Sequence, residues 1–182
     1  GAYIVKSPNG MDKVTGVAEC ITHMWERKDY MIKKLVKRRD NNESSLEYCW
    51  NLLREYPYMG PFMAYEVVTD LRFTYLLQGA NDRYSWANAG PGAMRGLNRL
   101  TGRPLEFCQR SHDWCSEMVA LYDIAIQELP VNITFRNDLP YEMREIEGGL
   151  CEFDKYSRIY KGEGRTRSMY NYDENLPLVE GI

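Results

Sequence analysis

Apolar residues recur at positions 14, 17, 18, 21, 24, 25, 32, 35 and 36, the spacing of an amphipathic helix from Asp12 to Arg39. A break is expected near Arg27–Asp29. Asp12 stands where an N-cap belongs, and Lys33, Lys34, Lys37, Arg38 and Arg39 gather at the far end, where positive charge complements the helix dipole. Asn41-Asn42 breaks this pattern, and Ser44 or Ser45 opens a second helix with Leu46, Cys49, Trp50 and Leu53 on its inner face. Pro57 to Gly60 reads as a tight turn. Pro61 then starts a third helix, carrying Ala64, Val67, Val68 and Leu71 and running to about Leu77. A polar loop from Gly79 to Gly90 leads to a fourth helix, opened by Pro91 and stopped at Thr101-Gly102. A fifth spans Asp113 to Leu129, with Trp114, Met118, Leu121, Ile124 and Ala125 inward. Asp138 is placed to cap a last helical stretch that Gly148-Gly149 interrupts before Leu150–Ile159.

No alternation of strand and helix and no internal repeat is present, so the expected class is all-α. Tyr3-Ile4-Val5 is the one candidate strand, without an evident partner. Residues 1–161 are expected to form a single helical domain, and 162–182, rich in Gly, Arg and Tyr, an extended C-terminal tail.

Composition changes this picture little. A chain of 182 residues, 44% hydrophobic and 27% charged, is long enough for one well-filled core. The net charge of −3 argues against coating nucleic acid by bulk charge, but the basic residues cluster. Lys37 and Arg38 belong to one group, which serves either as a DNA contact or as a solvated helix end; Lys155, Arg158, Lys161, Arg165 and Arg167 form another. Five cysteines without CxxC spacing and only two histidines, His23 and His112, call for no metal and no cofactor, and fit a reduced, cytoplasmic chain. No apolar run suggests a membrane span.

Three segments hold candidate chemistry. Tyr56-Pro-Tyr-Met-Gly-Pro-Phe-Met-Ala64 has the Pro-x-x-Gly-x-x-x-Ala pattern of a helix-hairpin-helix, in which a glycine turn, here Gly60, exposes amides that hold a DNA phosphate without reading sequence. An ordinary interhelical turn fits the same residues, and Tyr58 stands where a second glycine is usual. Trp86-Ala-Asn-Ala-Gly-Pro-Gly-Ala-Met-Arg95 is a glycine-bearing loop feeding a helix start. Gly90 and Gly92, with Asn88 nearby, would form an anion nest and Arg95 would add a charged contact; a plain loop before a helix is the other reading. It is neither a Walker A loop nor a dinucleotide fingerprint. In Leu150-Cys-Glu-Phe-Asp-Lys-Tyr156, helical spacing puts Cys151, Asp154 and Lys155 on one side, suited to acid–base or nucleophilic work or to a salt-bridged surface.

At these segments the chain resembles the helical, DNA-glycosylase-like domain of thymidine hypermodification enzymes, the alpha-glutamyl/putrescinyl thymine pyrophosphorylases and the 5-hydroxymethyluracil DNA kinase helical domain. The likeness rests on Gly1-Ala-Tyr-Ile4, Met59-to-Tyr65 with Asp70-Leu-Arg72, Trp86-to-Gly96, and Leu150-to-Tyr156 with Gly162-Glu-Gly-Arg165. Family members carry more chain before the first of these pieces. The resemblance implies a helix-hairpin-helix, DNA-glycosylase-like fold acting on double-stranded DNA that contains 5-hydroxymethyluracil. There a phosphate or pyrophosphate on the base methylene is displaced by an amine or amino-acid co-substrate. Reaching such a base requires taking it out of the stack.

On that basis Asp154, Lys155, Asp70 and Arg72 are the catalytic candidates, with Asp70 and Arg72 alternatively a buried ion pair. Gly90, Gly92, Arg95 and Arg165 are the phosphate candidates, and Trp86 would be the platform for a flipped base. Base excision is not expected, because Ser85-Trp-Ala-Asn88 stands where glycosylases place an aspartate, with Asp82 only nearby. Autonomous kinase activity is not expected either, since no P-loop is present; a P-loop kinase or an N-terminal domain is the implied partner. If phage-encoded, the protein would work in the host cytoplasm. The rival readings are a non-catalytic DNA-binding module serving such a kinase, and a phage structural protein with this fold.

Overall fold

The computed structural model describes residues 10–128 and 140–165. These form seven helices: α1 (Lys13–Glu26), α2 (Lys28–Asp40), α3 (Leu46–Leu53), α4 (Pro61–Leu71), α5 (Pro91–Thr101), α6 (Trp114–Glu128) and α7 (Met143–Tyr160). Among the described residues there is no strand, and the class is all-α. Tyr3–Val5, Asp138 and residues 166–182 lie outside the described residues.

The helix starts follow local chemistry. The Asp12 carboxylate accepts from the amides of Val14 and Thr15 at 2.9 and 3.0 Å, and the chain breaks between α1 and α2 at Arg27. Ser45 caps α3. A second carboxylate, from Asp82, accepts from Ser45 Oγ at 2.7 Å and from the amides of Leu46 and Glu47. Asp82 thus ties the 80–90 loop to the start of α3, and both of its oxygens are engaged there. Pro61 and Pro91 each occupy the first turn after an extended glycine, Gly60 or Gly90. Between α3 and α4, Tyr58 adopts a φ of 63°, the left-handed conformation that glycine favours.

Three expectations are corrected. α4 stops at Leu71 rather than continuing to Leu77: the Thr74 hydroxyl donates to the Leu71 carbonyl at 2.7 Å, and residues 72–79 run on as turns that return Leu77 to the core. α7 runs through Gly148-Gly149 without interruption, because Met143, Ile146 and Leu150 on either side of the pair are buried together. Ile124 of α6, expected inward, faces solvent, as do Val14, Val17, Ile21 and Trp25 along the apolar stripe of α1. The opposite side meets the body through Cys20 Sγ, which donates to the Pro57 carbonyl, and His23, edge-on to Tyr56.

Two buried clusters fill the fold. One joins Leu35, Leu46, Cys49, Leu53, Val68 and Leu77; the other joins Ala93, Leu97, Trp114, Met118, Met143 and Leu150. Trp50 and Trp86, with ring centroids 5.8 Å apart, pack against both. Within the second cluster α5 and α7 form the most extensive helix pair. A methyl group at Gly96 would collide with the Leu150 carbonyl, and one at Gly92 with Cys151 Sγ, so the two backbones meet where α5 has no side chains.

The glycines of the two helices therefore respond oppositely to alanine. Gly96→Ala is expected to destabilise the protein by about 1–3 kcal/mol through overpacking. Gly148→Ala, where a Cβ meets nothing within 4 Å, is expected to stabilise it by about 0.5–1 kcal/mol. Urea denaturation of the two variants measures both signs.

Candidate functional site

Close approach of α5 and α7 leaves a polar stripe along their seam. On α7, Glu147, Cys151, Asp154 and Arg158 recur at helical spacing; on α5, Arg95 and Arg99 lie one turn apart. Asp154 is wholly buried, 0% exposed, and each of its oxygens takes one arginine: Oδ2 accepts from Arg95 Nε at 2.8 Å and Oδ1 from Arg99 Nε at 2.9 Å. Burial pushes its carboxyl up, but the hydrogen bonds and charges of Arg99 and Arg95 outweigh that and hold it below the usual carboxylate range. The group is an anchored anion that aims two guanidiniums.

Beside them opens a cleft of about 740 Å³, lined by Arg95, Arg99, Asp154, Arg158 and Glu163 on its charged side and by Met94, Leu105 and Phe107 on its apolar side. Arg99 is nearly sealed, its side chain 5% exposed, and donates through Nη2 to Glu163 at 2.6 Å. Arg95 remains 38% exposed. A mixed wall of fixed cations and apolar side chains suits an anionic group attached to a flat, partly apolar one.

Glu147, one turn before Cys151, sits at the glycine elbow. Its Oε1 lies 3.5 Å from where a Gly90 Cβ would be, the Gly90 amide interacts with the carboxylate, and Oε2 accepts from Arg144 at 2.5 Å. Burial raises its pKa despite these partners. Desolvation, with Glu147 adjacent, pushes the Cys151 thiol up to about 11, which makes it a poor nucleophile at neutral pH. Arg144 also pairs with Glu66 of α4 at 3.1 Å. A protein carboxylate thus stands beside Gly90, and Gly92 is packed on Cys151.

The structure therefore brings Gly90, Gly92, Arg95 and Asp154 together at one seam and disperses the rest. Lys155 turns away from Asp154 and pairs with Glu152 at 2.5 Å on the surface. The ion pairs of buried Arg72 run to Glu145 at 2.7 Å and Glu142 at 3.7 Å, joining the end of α4 to the start of α7, while Asp70 is exposed. Trp86 is wedged against Trp50 and Tyr65. Asn88 Nδ2 donates to the Pro61 carbonyl at 3.5 Å, which also accepts from Trp50 Nε1, so the glycine loop adjoins the start of α4 and exposed Gly60. Arg38 lies over the Tyr48 ring and donates to the Glu43 carbonyl, whereas Lys37 and Arg165 are exposed. Sequence reasoning missed Arg99, Arg144 and Glu147. The available signal was the spacing of Arg95 with Arg99 and of Glu147 with Cys151 and Asp154.

Among the described residues, no group of three or more His, Cys, Asp or Glu is placed to hold a metal ion, and no helix is long and apolar enough to cross a membrane. All five cysteines are free.

An all-helical domain with a charged cleft along one helix seam is the class of protein these features define. The model of the family described as "5-hmdU DNA kinase, helical domain" matches residues 1–166, and the chain belongs to that family. Membership links it to thymine hypermodification. No curated protein and no solved structure matches the chain.

Asp154→Asn would leave two arginines without their buried counter-charge, a change expected to cost about 3–5 kcal/mol. The folded pKa of Asp154 is depressed, so its stabilising contribution is present at neutral pH and lost as the pH falls through that value. The gap between wild type and variant in thermal melts is therefore expected to be widest near neutrality and to close in acid.

Proposed function

We propose that this domain holds duplex DNA bearing 5-hydroxymethyluracil for a kinase active site on a partner or fused domain, with the α5–α7 cleft taking a phosphate group of the substrate. The observation that carries this reading is Arg95, part-exposed at the cleft and fixed by a wholly buried carboxylate. A guanidinium whose orientation is set in advance loses little freedom on meeting a phosphate. Family membership supports 5-hydroxymethyluracil as the base concerned. Gly60 at the exposed start of α4 and Lys37 at the end of α2 would add backbone contacts, which position a duplex without reading its sequence. ATP binding falls to the partner kinase.

Displacement of a phosphate by an amine or amino acid within this domain is a less favoured reading. Asp154 is held ionised by two arginines, Lys155 is paired on the surface, and the Cys151 thiol is pushed up in pKa. These groups support aiming and holding more readily than proton transfer.

Fluorescence anisotropy with a short 5-hydroxymethyluracil duplex tests the proposal. Arg95→Ala is expected to weaken binding about tenfold or more, the worth of a charge-assisted hydrogen bond, and to lower the salt-dependence slope by about 1. An unchanged affinity and slope, in a variant whose circular dichroism is that of wild type, would remove the cleft from the DNA-binding surface.

A further inference from the structure

We propose that the inner part of this cleft is a subsite for a phosphate monoester dianion, and that Glu163 is its built-in competitor. The inference rests on the reading above and names the chemical group the cleft selects.

Three guanidiniums line the cleft, those of Arg95, Arg99 and Arg158, against the carboxylates of Asp154 and Glu163; Glu106 lines it from an exposed loop, where solvent screens it. The two inner carboxylates differ in kind. Asp154 is wholly buried on α7 between two arginines and is part of the scaffold. Glu163 lies beyond the helix end, its side chain 38% exposed, and reaches Arg99 from a turn built on Gly162 at φ 69°. That turn is closed by the Glu163 amide donating to the Arg158 carbonyl at 2.8 Å, and Gly164 lies against the Arg158 methylenes. A short glycine-flanked turn thus lays a carboxylate on the most sealed cation of the site. Its contact shows that an oxyanion fits there.

A second observation, at the Arg158 guanidinium beneath the same turn, indicates that the site is short of acceptors. Arg158 Nε is buried and has no hydrogen-bond partner, an arrangement that leaves desolvation of a charged donor uncompensated. Withdrawal of Glu163 leaves two positive charges unbalanced among Arg95, Arg99, Arg158 and Asp154. A phosphate monoester carries about −1.5 to −2 at neutral pH and three acceptor oxygens, enough to meet both the charge and the vacant donors. A backbone diester carries only one negative charge and two free oxygens. The inner subsite at Arg99 and Arg158 therefore favours the terminal phosphate that phosphorylation of a hydroxymethyl group creates, while part-exposed Arg95 still meets a phosphate already in the DNA.

Because Glu163 and the ligand exclude each other, the observed affinity is the intrinsic one reduced by the fraction of time the subsite is open. Removing the competitor's charge raises that fraction. The full chain and its Glu163→Gln variant are titrated by calorimetry with inorganic phosphate, 5-phosphomethyl-2′-deoxyuridine and dimethyl phosphate. The expected result is monoester and inorganic phosphate binding that tightens about five- to tenfold in Glu163→Gln, with dimethyl phosphate little changed. Unchanged monoester affinity in the variant, or an equal gain for dimethyl phosphate, overturns the proposal. Tighter monoester binding by a protein that fails to bind duplex supports the subsite and overturns the DNA-holding reading alone.

Discussion

The contact between Gly96 and the Leu150 backbone is the constraint on which the rest of this structure depends. Only a residue without a side chain lets α5 approach α7 closely enough for Ala93, Leu97 and Met143 to share one buried cluster. The same approach places Asp154 between Arg95 and Arg99, a buried carboxylate that would be costly without both guanidiniums at hydrogen-bond distance. Packing comes first, and the electrostatics of the cleft follow from it. A side chain at position 96 would not merely crowd the helices; it would disturb the aim of both guanidiniums.

Charge is arranged in a graded way along the α5–α7 seam. At the elbow end a buried carboxylate, Glu147, faces the Gly90 amide and is shielded by Arg144. In the middle Asp154 is surrounded by arginines, and at the far end Arg158 lines the cleft wall. The potential therefore runs from negative to positive over little more than three turns of one helix, and the cleft opens on the positive side. This charge order would steer an anionic ligand to the Arg95 end rather than to the glycine elbow, although a glycine-bearing loop feeding a helix is in general the more familiar anion site.

Much of this fold is legible in the sequence because its signals are local. Asp12, Ser45, Pro61, Pro91 and Gly102 mark helix ends within a residue or two, since capping acts over a single turn. The hydrophobic period of α1 is equally plain, yet it misleads about burial, because periodicity reports that a helix has an apolar face and not whether anything covers it. The site is less legible for a related reason. Gly92 reads as part of an anion nest or as a plain loop before a helix, and only the partner helix, more than fifty residues further on, shows that it is packed on Cys151. Arg72 illustrates the same gap: Asp70 is its neighbour in sequence, but its carboxylates come from Glu142 and Glu145. The resemblance supplied the family, residues 1–166 matching its model, but none of these long-range partners.

The unbroken course of α7 through Gly148-Gly149 has a consequence for how the domain assembles. Two adjacent glycines lower the intrinsic helical preference of the middle of this segment by about 2 kcal/mol relative to alanines, so in isolation it would favour two short, marginal helices. Its continuity is conferred by its neighbours, which bury Met143, Ile146 and Glu147 before the pair and Leu150 and Asp154 after it. The longest helix among the described residues is thus a conditional one. Completion of α7 therefore depends on the same packing against α5 that forms the cationic wall.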